Sequence, residues 1–596
     1  MRNKDLNFFK SRAYGILFIF FALLALLLAR FFFLQVVKGA ELKEQRELNI
    51  NASESIYPKR GRIVSRDGYI LAEDIKTFSI IVDLEQKPDI NAISLLADIF
   101  DQDLSADEVE VKVLTSLKFS TQETILSDLS QQDLAKFLVR SSELSGFSIN
   151  ESYKRNYDPH PSIFHILGHL GFINDLDTKY FSQRIMGYDK NLWQKVGKSG
   201  LERVYEQELR GMHGKRYFQR NARGNKKQIT GITNFVEGKE LVTSINYIAQ
   251  KKAFDLLKGK QGAVVAIDLS DFSIPVAVSV PSISANDLSG ISSKDYADLL
   301  NDEQRPLFNR AFMGLYPPGS TIKPLLTIFS LSEGYTNWTE TILDDGLFRF
   351  DEEQRVFNAW KEGGHGLTDL EKALVESSNP FFMNLATKFD KDKFVDFMQS
   401  ASFGSVLCSD CYPHQYSPLI NDAWKQKNFG KDLYKGDFIN LGVGQGYMLT
   451  TPLHLALLTS LIAKKGEYQI PYIVNKQTQN PLFLENKLSD DDWKRLNNSL
   501  INVVYSPNGT AFRVNAGNLK MAGKSGTSQV VDINSRAEYD EVRKNPLLRD
   551  HAIFIGYAPH DNPKFAIAVV IENGESGGRA AGPVAKEILE VLTIEN

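Results

Sequence analysis

The chain has 596 residues, 43% apolar and 24% charged, with a net charge of -4. That length exceeds one compact core, so two or more domains are expected. The near-neutral balance gives no sign of a nucleic-acid partner, and two cysteines cannot carry a disulfide-built scaffold. No collagen-like, heptad or solenoid period runs through the sequence.

In chain order, residues 13–29 and 31–37 are apolar on either side of Arg30. Together they reach the roughly 20 residues that cross a hydrocarbon core, with Arg30 snorkelling near one end. Arg2, Lys4, Lys10 and Arg12 precede this span against one acid, Asp5. The positive-inside tendency then leaves residues 1–12 in the cytoplasm and exports everything after the span. A cleaved signal peptide is the rival reading; the length of the run and the lack of a small-x-small site stand against it. Residues 38–60 are polar and predict a helical stalk. The Asp67-Gly68 pair that follows marks a turn. Residues 69–250 mix strand-like runs, such as 78–82, with acid-rich helical ones and gather no catalytic groups. They predict a mixed α/β pedestal over residues 38–250.

Near Gln261 the pattern changes. Residues 262–268 and 274–279 predict one buried hairpin, and residues 551–557 and 565–571 a second. Residues 584–592 predict an amphipathic closing helix. Strands at both ends with helices between them predict an α+β domain, its antiparallel sheet closed from both ends and flanked by helices.

Three motifs inside that domain carry chemistry. Pro317-Pro318-Gly319 marks a turn after which a helix can start at Ser320, so Lys323 would share its face. A serine hydroxyl needs an adjacent base, and a lysine serves if burial keeps it neutral. The helix N-terminus favours the neutral amine and an oxyanion. Ser377-Ser378-Asn379 offers a hydroxyl and an amide, but the S-x-N spacing recurs at Ser148, Ser244, Ser284 and Ser506. Lys524-Ser525-Gly526-Thr527 offers a cation, two hydroxyls and a glycine that admits a substrate backbone. Its decoy, Lys198-Ser199-Gly200, precedes Ser320.

Each motif alone is weak; their order is not. Serine–lysine, serine–asparagine, lysine–serine–glycine resembles the active-site set of the penicillin-recognising serine acyltransferases. Leu307-Phe308-Asn309-Arg310-Ala311, Gly364-His365-Gly366, the 442–446 segment, Thr451-Pro452, the 60–68 segment and the 197–211 segment all resemble class B penicillin-binding proteins. Gly364-His365-Gly366 and the 551–563 segment bring the likeness closest to their elongation-phase branch, penicillin-binding protein 2. Residues 85–150 carry least of it. The family's third motif usually has threonine where this chain has Ser525, which keeps the hydroxyl and loses β-branching.

The resemblance implies a transpeptidase domain over residues 251–596. Ser320 would be the nucleophile, Lys323 its base and Ser377 a proton relay. Asn379, Lys524, Ser525, Gly526 and Thr527 would bind a D-Ala-D-Ala stem peptide. Backbone N–H groups of Ser320 and Thr527 would form the oxyanion hole, and β-lactams would trap the serine. It further implies location in the inner membrane with a periplasmic catalytic domain, a RodA-type SEDS glycosyltransferase as the glycan-polymerising partner, and an MreC-type scaffold. No cofactor or metal is expected. Cys408-Ser409-Asp410-Cys411 with His414 falls short of four zinc ligands, and a local disulfide or two free thiols fits an exported domain better. A D-Ala-D-Ala carboxypeptidase, a β-lactamase or β-lactam sensor, and a catalytically silent scaffold are the alternatives on the same fold. A bifunctional synthase would need a polymerase motif that residues 38–250 lack.

Overall fold

The computed structural model describes residues 2–39, 51–83, 86–100, 103–119, 123–185, 195–220, 226–350, 355–474, 480–531 and 536–594. The first helix, Arg2–Phe32, continues through a wider turn, Phe33–Val37. Its 26 residues from Arg12 to Val37 are long and apolar enough to cross a membrane, and none of its apolar side chains is buried against protein.

The chain divides into two compact units whose segments interleave along the sequence. One holds Met1–Lys59, Ile75–Lys154 and Arg210–Gly238; the other holds Arg60–Asp74, Arg155–Leu209 and Lys239–Asn596. In the first unit, Asn51–Ile56 is a strand paired antiparallel with Gly214–Arg220, which in turn pairs with Lys226–Thr233. The helical stalk expected over residues 38–60 is therefore wrong for Asn51–Ile56. That segment gains its hydrogen bonds from a partner more than 150 residues away, which a local reading cannot register. Residues 40–50 of the expected stalk lie outside the described residues. The stretch that carried least family likeness has its own core, in which Ile80, Val82, Leu96, Phe100, Val113, Phe137 and Phe147 pack together. Helices Ile90–Ile99 and Gln131–Val139 start where Asp89 and Ser130 accept a backbone N–H from Ala92 and Asp133.

In the second unit, a buried ionic network ties the 60–68 and 197–211 segments together. Arg60 donates to Glu202 at 2.7 Å and to Glu206 at 3.0 Å, while Arg155 reaches Glu202 at 2.7 Å and Asp74 at 3.2 Å. The decoy lysine, Lys198, belongs to this support: its ammonium is paired with Asp177.

The sheet that positions the site has five strands: β1 (Gly262–Asp268), β2 (Val276–Val280), β3 (Ala522–Ser528), β4 (His551–Ala558) and β5 (Phe565–Ile571). Their order is β2-β1-β5-β4-β3, every pair antiparallel. The two hairpins expected from the sequence are thus joined through β1 and β5, with Ala263 opposite Val570. Strand alternation sends Ala263, Val265 and Ile267 to one face and Val264 and Ala266 to the other. The first face is covered by α1 (Pro452–Ala463), which is apolar all round and nearly all buried, as a helix inside a domain must be. The second is covered by α2 (Gly582–Ile594), through Val584, Ala585, Ile588 and Leu589. Both faces are covered by helices, and β3 lies at one edge of the sheet.

Candidate active site

Gly319 adopts φ +54, a left-handed conformation that glycine tolerates and that turns the chain after Pro317-Pro318. A 3-10 turn, Gly319–Ile322, then feeds the α-helix Lys323–Ser332 with Pro324 in its first turn. Ser320 sits half-buried at the start of this turn, and Lys323 is completely buried. The turn is wedged between two backbones. Gly319 N–H donates to Gly444 O at 2.9 Å. A Cβ on Gly319 would lie 2.5 Å from Thr527 O, and one on Gly526 would lie 2.7 Å from Thr321 Cγ2. Glycine at these positions is what lets β3 and the 442–446 segment close on the serine.

Ser377 takes φ +59, an uncommon conformation for a side chain other than Gly, Asn or Asp. Ser378 caps the helix Asn379–Ala386. This bend directs three groups at Lys323, whose Nζ lies 3.0 Å from Ser377 O, 3.2 Å from Ser378 O and 2.8 Å from Asn379 Oδ1. The Ser377 hydroxyl lies between both lysines, 3.3 Å from Lys323 Nζ and 2.9 Å from Lys524 Nζ. Lys524 also donates to Ser525 O at 3.1 Å.

Burial, assisted by the neighbouring charge of Lys524, holds Lys323 well below the ordinary lysine range, while Asp344 pulls it back up. Burial pushes Lys524 down to about 7.

Lys323, Ser377, Asn379 and Lys524, drawn from motifs up to 201 positions apart, therefore meet in one hydrogen-bonded cluster. The direct Ser320–Lys323 contact suggested by their spacing is not made. Among the described residues the Ser320 hydroxyl has no hydrogen-bond partner, and the Lys323 amine is held by the Ser377–Asn379 bend instead. Ser525 Oγ donates to Thr510 Oγ1 at 2.7 Å, while Thr527 is exposed at the edge. Thr510 escaped the sequence reading. Gln445 lies in the 442–446 segment that carried family likeness but was given no role; its side-chain amide donates to Thr527 O at 3.3 Å. Cys408 and Cys411 form a disulfide, so their sulfurs are not metal ligands.

Family models match this arrangement: residues 262–590 fit the penicillin-binding protein transpeptidase domain, and residues 55–243 the penicillin-binding protein dimerisation domain. The chain belongs to the class B penicillin-binding proteins. This penicillin-binding protein is 31% identical over 548 residues to the peptidoglycan D,D-transpeptidase MrdA of Haemophilus influenzae, covering 89% of this chain and 84% of that one. The Escherichia coli K12 protein of the same name is 30% identical over 591 residues, covering 96% and 92%. Among solved structures, Pseudomonas aeruginosa PBP2 in complex with WCK 5153 is 28% identical with TM-score 0.68, covering 91% of this chain and 96% of that one. The Helicobacter pylori PBP2 in complex with MreC shares the fold at TM-score 0.78 and 24% identity, covering 92% and 99%.

Proposed function

We propose that this penicillin-binding protein is a membrane-anchored, serine-type peptidoglycan D,D-transpeptidase that cross-links stem peptides during cell-wall elongation. The observation that carries the reading is the Ser377 hydroxyl suspended between two buried lysines, Lys323 and Lys524.

In this reading the neutral Lys323 amine accepts the Ser320 proton as Oγ attacks the penultimate D-alanine carbonyl of a donor stem peptide. The oxyanion that forms is held by the backbone N–H groups of Ser320 and Thr527, each such donor stabilising it by about 3 kcal/mol. The C–N bond to the last D-alanine then breaks. Ser377 passes a proton from the lysine pair to the departing amine. Lys524, Ser525 and Thr527 hold the donor carboxylate, Asn379 its amide, and Gly526 admits its backbone along β3. The amine of a second stem peptide attacks the ester, regenerates the Ser320 hydroxyl and leaves the cross-link. Water in place of that amine would give a D-Ala-D-Ala carboxypeptidase by the same first half-reaction. A β-lactam follows the donor route and stops at the ester.

The cations before the span put the N-terminus in the cytoplasm and residues 38–596 in the periplasm, with residues 38–250 as pedestal and 251–596 as catalytic domain. A RodA-type SEDS glycosyltransferase in the same membrane supplies the glycan strands, and an MreC-type scaffold binds the pedestal. The Helicobacter PBP2–MreC complex supports the second of these partners.

Intact-protein mass spectrometry after brief exposure to benzylpenicillin tests the reading. The wild type should gain the mass of one penicillin and lose it slowly, and Ser320→Ala should gain nothing. An unlabelled, folded wild type, or a labelled Ser320→Ala, would refute it.

A further inference from the structure

Gly364-His365-Gly366 lies outside every role assigned above, yet it is built into the wall behind the Ser377–Asn379 bend. Ile342–Asp344 pairs antiparallel with Gly366–Thr368, placing Asp344 opposite Gly366. Gly364 adopts φ +70, and a Cβ there would lie 2.1 Å from Asp344 O. Glycine thus lets the chain fold tightly enough to bring the His365 ring onto the Asp344 carboxylate. His365 Nδ1 is 2.6 Å from Asp344 Oδ2, and the Ser378 hydroxyl donates to the same oxygen at 2.5 Å. A carboxylate only accepts, so Nδ1 carries the proton. Gly346 N–H donates to Asp344 Oδ1 at 2.9 Å. Both side chains are completely inaccessible to solvent. Burial alone would raise the Asp344 carboxyl, but the hydrogen bonds from Ser378, His365 and Gly346 outweigh it and hold the group below its ordinary range. Asp344 is therefore a fixed anion. From the other side, the Trp360 indole N–H donates to Ser377 O at 3.2 Å.

These contacts converge on a bend that is costly to hold. Ser377 at φ +59 is strained by about 1 kcal/mol or more, and it must keep its hydroxyl between two lysines. The charged groups facing Lys323 are Lys524 on β3 and Asp344. Those facing Asp344 are His365 and Lys323.

We propose that Asp344, clamped by His365, is a positioning residue for acylation: through Ser378 it fixes Ser377 and Asn379 against Lys323, and it presents a negative charge to Lys323. A merely structural wall would hold the bend without influencing where the lysines release their protons.

The inference rests on Ser320 acylation, so the wild type and Ser320→Ala are measured first; an unlabelled wild type would sink that reading before this one is reached. The experiment is the acylation rate of the full-length protein in detergent by a fluorescent penicillin, followed across pH. Asp344→Asn should slow acylation about 10- to 100-fold, the range carried by a lost charge-assisted hydrogen bond. It should also move the acid side of the pH profile to lower pH, because an anion that favoured protonated lysine is gone. His365→Asn can still offer an N–H to Asp344 and should keep more of the rate than His365→Ala. Melting curves establish folding. If Asp344→Asn does not fold, the two His365 variants and Ser378→Ala decide the question. Wild-type rate and profile in Asp344→Asn would overturn the proposal. So would a slowed rate with an unmoved profile, or equal rates in His365→Asn and His365→Ala.

Discussion

Gly444→Ala tests how tightly the nucleophile turn is held. Gly444 has φ +69, and a Cβ there would sit 2.2 Å from Gly319 O and 2.8 Å from Gly319 N. Non-bonded carbon and oxygen do not approach that closely, so the Gly319–Ser320 turn must shift by roughly 1 Å from its place between Gly444 and the Thr527 backbone. Misplacing a reacting atom by that much costs about 100-fold in rate. Left-handed alanine adds about 1 to 2 kcal/mol of strain, and the weakened Gly319 N–H to Gly444 O bond about 1 kcal/mol more. Gly259→Ala is the control: φ is +77 with open space around the new methyl, so it carries the strain alone. The assay is penicillin acylation by stopped-time mass spectrometry beside thermal melting. Gly444→Ala should lose both rate and stability, Gly259→Ala only a little stability. Acylation of Gly444→Ala within threefold of wild type, at unchanged melting temperature, would refute the reasoning.

Two further outcomes follow from the same structure. Lys524 is pushed down to about 7 by burial, below its unfolded value, so the unfolded chain binds the extra proton and burial of this lysine destabilises the fold fully below pH 7, with relief as pH rises from 7 towards 10. Lys524→Met should therefore be more stable than wild type at pH 6, on the order of 3 kcal/mol after losing two hydrogen bonds, with the gap narrowing at pH 9 and acylation abolished; denaturant titrations at both pH values check it, and a variant less stable at pH 6 would contradict it. The Cys408–Cys411 disulfide closes a very short loop, so replacing both with serine should cost about 2 kcal/mol on loop entropy and leave acylation intact, read by melting and labelling with and without reductant; loss of labelling would tie the loop to the site.

What could be read from the sequence was periodic or ordered. Strands β1, β4 and β5 are runs of apolar residues bounded by turns, and they fold where that pattern says. The order of the three motifs identified the family although each was individually weak, because Lys524, unlike Lys198, precedes a strand pair. What escaped depends on distant pairing. The Asn51–Ile56 strand is polar and charged enough to pass for a helix until Gly214–Arg220 is beside it. Asp344 is one acid in a turn-like Asp-Asp-Gly, and only the fold puts His365 and Ser378 against it. Spacing suggested that Lys323 would reach Ser320, but could not say that the amine would be drawn to Asn379 instead.

The sheet order has a consequence for how the enzyme comes into being. β1 lies between β2 and β5, and among the described residues β3 pairs only with β4. A chain still being synthesised already carries Ser320, Lys323 and Ser377 long before Lys524 exists, and it cannot complete the sheet until Phe565–Ile571 arrives. Non-local closure of this kind is slow and comes late. An incomplete or prematurely ended chain therefore holds a serine without the lysine pair or the edge strand that would make it reactive. The edge strand that carries Lys524 joins the sheet through β4 and β5, so its place beside the serine motif depends on the last strand of the sheet to be made.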